Sequence, residues 1–137
     1  MSKRQLISTG SPFEKVAGYS RAVRVGNMVY VAGTTGYDYE TMTLPEDVTE
    51  QARNCMETIK KALADAGASL EQVVRAHYYV TDQSYGEDVF KLVGSYFADI
   101  RPAATMVVCK LLNDDMKVEI EVTAQIDLAV AKEPSQN

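Results

Sequence analysis

Residues 117–126, KVEIEVTAQI, set two carboxylates, Glu119 and Glu121, on one face of a strictly alternating strand. A carboxylate there can serve as a general base toward water, provided it is partly desolvated and close to a substrate. It can equally be a solvated or ion-pairing group on a polar sheet face. Arg101 stands directly before Pro102. A planar guanidinium grips a carboxylate through two parallel hydrogen bonds. The same cation at a helix C-terminus gains about 0.3–1 kcal/mol from the helix dipole alone. Tyr19, after Gly18, and Thr105, in an apolar run, offer hydroxyls, although packing and β-propensity account for them as well. His77 is the only histidine and lies beside Tyr78 and Tyr79 in an apolar stretch. With no second histidine and no clustered cysteines, the sequence predicts no metal centre, and His77 reads as a satisfied strand residue.

These groups need a frame, and periodicity supplies one. Residues 21–34, RAVRVGNMVYVAGT, predict a hairpin turning at Gly26-Asn27. Its second strand is apolar on both faces and so belongs inside a sheet. Residues 35–46 read as a loop, and TGYDYE within it is a candidate cleft lid. From Asp47 to Ala66 a helical stripe runs through Val48, Ala52, Cys55, Ile59, Leu63 and Ala66, with Gly67 as its stop. Residues 73–80, VVRAHYYV, predict a strand. A capping box, Ser84 with Glu87, predicts the start of a second helix. That helix carries the stripe Val89, Phe90, Val93, Tyr96, Phe97 and Ile100, and Pro102 closes it. Residues 104–111 and 117–126 complete the pattern as strands. The order β-β-α-β-α-β-β predicts an α+β domain over residues 1–137, with two helices on one face of a mixed sheet. The bare face is a candidate assembly surface.

Composition narrows the function classes. The net charge of −5 and the absence of a basic stripe argue against nucleic acid and anionic membrane partners. No apolar run reaches the roughly 18 residues of a membrane span, and MSKRQLISTG lacks a signal-peptide core. A cytoplasmic location is therefore expected. Cys55 and Cys109 sit in apolar segments and read as buried thiols of a reducing compartment. The polar tail KEPSQN is expected to fray.

Several stretches together resemble the YjgF/RidA-like reactive-intermediate deaminases. They are GYSRAVRVGNMVYVAG, QARNCMETIKKALADAG followed by ASLEQVVRAHYYVTD, then RPA, and KVEIEVTA. The resemblance rests on their order and spacing over almost the whole chain. It implies a chorismate-mutase-like fold and a homotrimer with clefts between subunits. It also implies hydrolysis of small enamines or imines to keto compounds and ammonia, with no metal or organic cofactor. By the same resemblance, Tyr19 lines the cleft and Glu119 holds or activates water, while Phe90, Arg101 and Thr105 are candidate substrate contacts. The sequence also departs from the family pattern. Ala104 stands where the relatives' P-A-R motif has its carboxylate-binding arginine, Phe90 where a polar helix residue is usual, and Ala32 where a small hydroxyl is usual. The expected function is thus a deaminase, with a non-catalytic ligand- or partner-binding trimer as the alternative. Arg101 is a candidate substitute for the missing arginine; three residues of offset on a regular strand would turn it to the other face, but Pro102 interrupts that regularity and leaves the geometry open. Arg21, Arg24 and Arg75 are further arginines that the sequence does not place.

Overall fold

The computed structural model describes residues 3–126. The tail KEPSQN, expected to fray, and the first two residues lie outside that range. The order of elements is β1 (Arg4–Ile7), α1 (Pro12–Ala17), β2 (Ala22–Val25), β3 (Met28–Thr35), α2 (Val48–Asp65), β4 (Val73–Val80), α3 (Gly86–Phe97), β5 (Ala103–Val108) and β6 (Val118–Gln125). They build one six-stranded sheet ordered β1-β2-β3-β6-β4-β5. Every pairing is antiparallel except β4 with β5, so the sheet is mixed. The fold is α+β and chorismate-mutase-like, as expected.

Two elements were not expected. β1 is an edge strand on which only Ile7 is buried, so it carries no alternating signal. α1 is six residues long, too short for a stripe; Ser11 caps it and Pro12 opens it.

The hairpin forms where predicted, with Val25 paired to Met28 around a positive-φ Gly26. Asp47 caps α2 by accepting from the Glu50 amide. The stripe of α2 packs on the sheet: Ala52, Cys55, Met56, Ile59 and Leu63 are fully buried against Val29, Val80, Ile120 and Val122. Gly67 follows at φ 85°. Arg24 Nη1 donates to the Ala66 carbonyl at 2.8 Å, so this arginine finishes the end of α2.

The start of α3 corrects the sequence reading. Ser84 does not cap it. Asp82 accepts from the Ser84 amide and begins a 3-10 turn over Gln83–Tyr85, and α3 follows from Gly86 with no side-chain cap. The capping box that forms is Ser69 with Gln72, ahead of β4. α3 also ends earlier than its stripe, at Phe97, with Ile100 packed beyond it.

β6, last in sequence, lies between β3 and β4. Val118, Ile120, Val122 and Ala124 face the helices and are buried, so Glu119, Glu121 and Thr123 face the bare side. Buried Gln51 of α2 holds the approach to β6. It donates to the Pro45 and Asp115 carbonyls and accepts from the Lys117 amide. Where β3 meets β6, the register slips between Val31 and Thr34. Val31 faces Val122 and Thr34 faces Ile120, so Ala32 and Gly33 together oppose Glu121 alone.

Candidate functional site

The bulge at Ala32-Gly33 shapes the surroundings of Glu119. A Cβ on Gly33 would overlap the Glu119 carboxylate oxygen, so the glycine makes room for that carboxylate. Glu119 is partly buried, and its pKa is raised. Desolvation is the main cause and the charge of Glu121 the second, with Arg21 opposing both. No hydrogen bond holds the carboxylate among the described residues. A carboxyl in that state can take a proton from water and return it.

Arg21, which the sequence did not place, is the centre of this region. It is fully buried. Its Nη1 donates to the Gly33 carbonyl at 2.8 Å and to Thr34 Oγ1 at 3.1 Å, and Nη2 reaches the Tyr19 hydroxyl at 3.4 Å. The guanidinium also lies over the rings of Tyr19 and Tyr39, at 5.5 and 5.0 Å from their centroids. Nε faces Glu14 at 3.6 Å, too far for a hydrogen bond, and is left without a partner. Glu14 accepts from Ser8 Oγ at 2.8 Å and from the Thr9 amide and hydroxyl. Burial works against the Glu14 charge. The Thr9 and Ser8 hydrogen bonds and Arg21 outweigh it and hold its pKa below the usual carboxylate value. Arg21 thus contacts Tyr19, and its charge also acts on Glu119. No pattern signal identified Arg21, because an arginine in a strand reads as a surface residue by default.

A second group of candidate residues lies elsewhere. Phe90, Arg101 and Ala104 line a depression of about 350 Å³ together with Tyr78, Val93, Gly94, Phe97, Ala98 and Pro102. Phe90 is 53% exposed, and its ring stands edge-on to Tyr78 at 6.3 Å. Arg101 adopts φ 57° and donates its amide to the Phe97 carbonyl at 2.9 Å. It therefore terminates α3 in the left-handed conformation usually given to glycine. Strand alternation therefore does not separate Arg101 from Ala104: the chain is not a strand at Arg101, and both residues line one depression. Two structural facts about Arg101 now stand together, its helix-terminal position and its place in the depression.

Thr105 is not part of that group. It pairs with His77 on β4, one strand position from Ala104, and so points to the bare face. His77 pairs in turn with Glu121 on β6 and accepts from Arg75 Nε at 3.4 Å. On the same face Tyr79 donates to Glu121 at 2.6 Å. Cys55 is buried, and burial pushes its thiol pKa up. Cys109 corrects its expectation: it lies past the end of β5 and is only half-buried. Tyr37 and Tyr39 of the TGYDYE loop line a different cavity of about 550 Å³, beside Ser8, Thr9 and α2. No cluster of histidine, cysteine and acidic side chains suited to a metal occurs among the described residues. No helix among them is long and apolar enough to cross a membrane.

Glu119 and Ala104 lie on opposite faces of the sheet. Ala104 pairs with buried Ala76 under α3, whereas Glu119 faces away from the helices. One small ligand cannot touch both within a single protomer.

Residues 9–126 match the family model described as Endoribonuclease L-PSP. The chain is 31% identical over 127 residues to the 3-aminoacrylate deaminase RutC of Acinetobacter baylyi, covering 92% of this chain and all of that protein. It is 33% identical over 125 residues to a RutC family protein of Pyrococcus abyssi, covering 90% and 98% of the two chains. Among solved structures it is similar to Rv2704 of Mycobacterium tuberculosis, described as a member of the YjgF/YER057c/UK114 family. The TM-score is 0.83 at 42% identity, over 90% of this chain and all of that one. The YjgF gene product of E. coli gives a TM-score of 0.80 at 27% identity, over 90% and 99%.

Proposed function

Because this chain belongs to the Endoribonuclease L-PSP family, the YjgF/RidA-like proteins, we propose that it hydrolyses a small enamine or imine to a keto compound and ammonia. The observation that carries this reading is Glu119: a partly buried carboxyl with a raised pKa, seated over Gly33 and beside Arg21. The name of the 31%-identical relative, 3-aminoacrylate deaminase, supports the same chemistry.

The steps balance without a redox change, so no oxidant and no organic cofactor is needed. An enamine first moves a proton to carbon and becomes the imine. Water then adds to the imine carbon while Glu119 accepts one of its protons. The same carboxyl returns that proton to nitrogen, giving the carbinolamine. It then passes the hydroxyl proton to nitrogen in turn, the C–N bond breaks, and ammonia leaves as the carbonyl forms. A carboxyl whose ionised form is disfavoured by burial suits this exchange better than a solvent-exposed one. Tyr19 borders the reacting region. Arg101 orients an anionic group of the substrate at the rim of the Phe90–Ala104 depression. Thr105, on the bare face, is a peripheral contact.

The split of these residues across the sheet supports assembly. In the proposed homotrimer, the depression of one protomer faces the Glu119 region of its neighbour, and the substrate lies between them. The exposed edge of β5 and the bare sheet face are the surfaces available for that contact. The balance of acidic over basic side chains argues against an RNA substrate, despite the family's description as an endoribonuclease.

The test feeds the protein imines generated in place by an amino-acid dehydratase or oxidase and follows their decay. Faster decay than in buffer supports the reading; no acceleration across several imino acids overturns it. Ala104 and Phe90 favour one rival, a binding trimer without turnover, because they leave the depression largely apolar. Tight metabolite binding with no decay of any imine would establish that rival instead.

A further inference from the structure

On the bare face of the sheet, β4 and β6 place Tyr79 directly opposite Glu119, and His77 opposite Glu121. Tyr79 nevertheless does not donate to its register partner. Its hydroxyl reaches diagonally to Glu121 Oε1 at 2.6 Å. This bond, with burial second, pushes the Tyr79 pKa up to about 12, so the phenol stays a donor throughout the physiological range. Glu121 is two residues from Glu119 on the same face, and a carboxylate fixed there acts on it across a partly desolvated surface. Free of the hydroxyl, the Glu121 side chain could turn toward solvent, where water would screen its charge.

We infer that Tyr79 and Glu121 form a positioning pair for Glu119, in which the phenol pins a second carboxylate beside the reacting one so that Glu119 can hold and release a proton. The inference rests on the proposed role of Glu119. Neither Tyr79 nor Glu121 touches the substrate in this arrangement. The other charged or titratable groups whose charge couples to Glu119 are Arg21, just before β2, and Cys55, buried on α2. Arg75 and His77 lie further along β4, and Cys109 lies near Tyr79. Arg21 lowers the Glu119 pKa and Glu121 raises it. Two carboxylates two positions apart on one face thus have different tasks: one is held by a hydroxyl, and the other is left without a hydrogen bond.

The experiment is a carbon-13 NMR titration of the Glu119 carboxyl in the full chain, without substrate. It is run in the wild type, Tyr79→Phe, Glu121→Gln and the double variant. Glu121→Gln should lower the Glu119 midpoint by on the order of one pH unit or less, through loss of the neighbouring charge. Tyr79→Phe should lower it by a smaller amount. In the Glu121→Gln background, Tyr79→Phe should add nothing, because it acts only through Glu121. An unchanged midpoint in Glu121→Gln would overturn the pair. So would a Tyr79→Phe shift that persists when Glu121 is already replaced. A deaminase assay that fails while these shifts appear would reject the function and leave the pair standing; active protein with no shifts would do the reverse.

Discussion

Two buried-region carboxylates lie near Arg21, and their surroundings push them in opposite directions. Glu14 receives hydrogen bonds from Ser8 and Thr9 and faces the guanidinium at 3.6 Å; its pKa is lowered. Glu119 has burial and the Glu121 charge against it; its pKa is raised. Glu14 therefore belongs to the framework, and Glu119 is the one suited to the proposed chemistry. Burial disfavours the charge of both. At Glu14 the Ser8 and Thr9 donors outweigh it, whereas Glu119 meets no donor among the described residues and desolvation prevails.

Removing the framework carboxylate should have the largest effect. Glu14→Ala leaves Arg21 buried without its ion-pair partner, and unfolding by denaturant should show a loss of about 3–5 kcal/mol. Glu119→Gln should behave oppositely in stability. It removes a charge that burial disfavours and should raise stability by about 0.5–2 kcal/mol at neutral pH, read as a higher Tm. A fall in stability comparable to that of Glu14→Ala would erase the distinction between the two groups.

pH should separate them as well. Glu14 has a folded pKa below its unfolded value, so its contribution is present above the unfolded value and is lost as pH falls through the folded one. Glu119 has a folded pKa above its unfolded value, so ionising it weakens the fold as pH rises between the two. Acid denaturation of Glu119→Gln should accordingly keep the Glu14 transition and lose the second dependence.

Gly33→Ala sharpens the site alone. The added methyl meets the end of a flexible side chain, so the fold should lose no more than about 1 kcal/mol while the Glu119 carboxylate is displaced. Imine turnover should fall about tenfold or more, because small misplacements of a catalytic group are expensive. The smallest effect is expected at Arg101. A glycine accepts φ 57° freely, so Arg101→Gly should stabilise the protein by about 0.5–1 kcal/mol and weaken binding of anionic substrates. A stability loss there would mean that the arginine side chain, not the backbone turn, holds the end of α3.

Much of the frame was legible in the sequence, for a physical reason. α2 and β6 bury one continuous face each, and burial on one face writes a period into the residues. β1 and α1 bury too little to leave one; only Ser11-Pro12 marked the start of α1. Within the site, Glu119 was visible because it stands on the polar side of that alternation. Arg21 was not, since its burial depends on Glu14, Tyr19 and Tyr39 converging from separate segments. The bulge at Ala32-Gly33 left only a pair of small residues as its trace. The place of Arg101 stayed open for a related reason: strand alternation does not apply across a residue that turns left-handed.

The most direct measurement is the rate of imine hydrolysis by Glu119→Gln beside the wild type, on imines released in place, with both proteins shown folded by the same Tm scan. The wild type should outpace buffer, and the variant should lose about 100-fold or more of that acceleration. A variant that hydrolyses the imine as fast as the wild type would contradict the role given to Glu119.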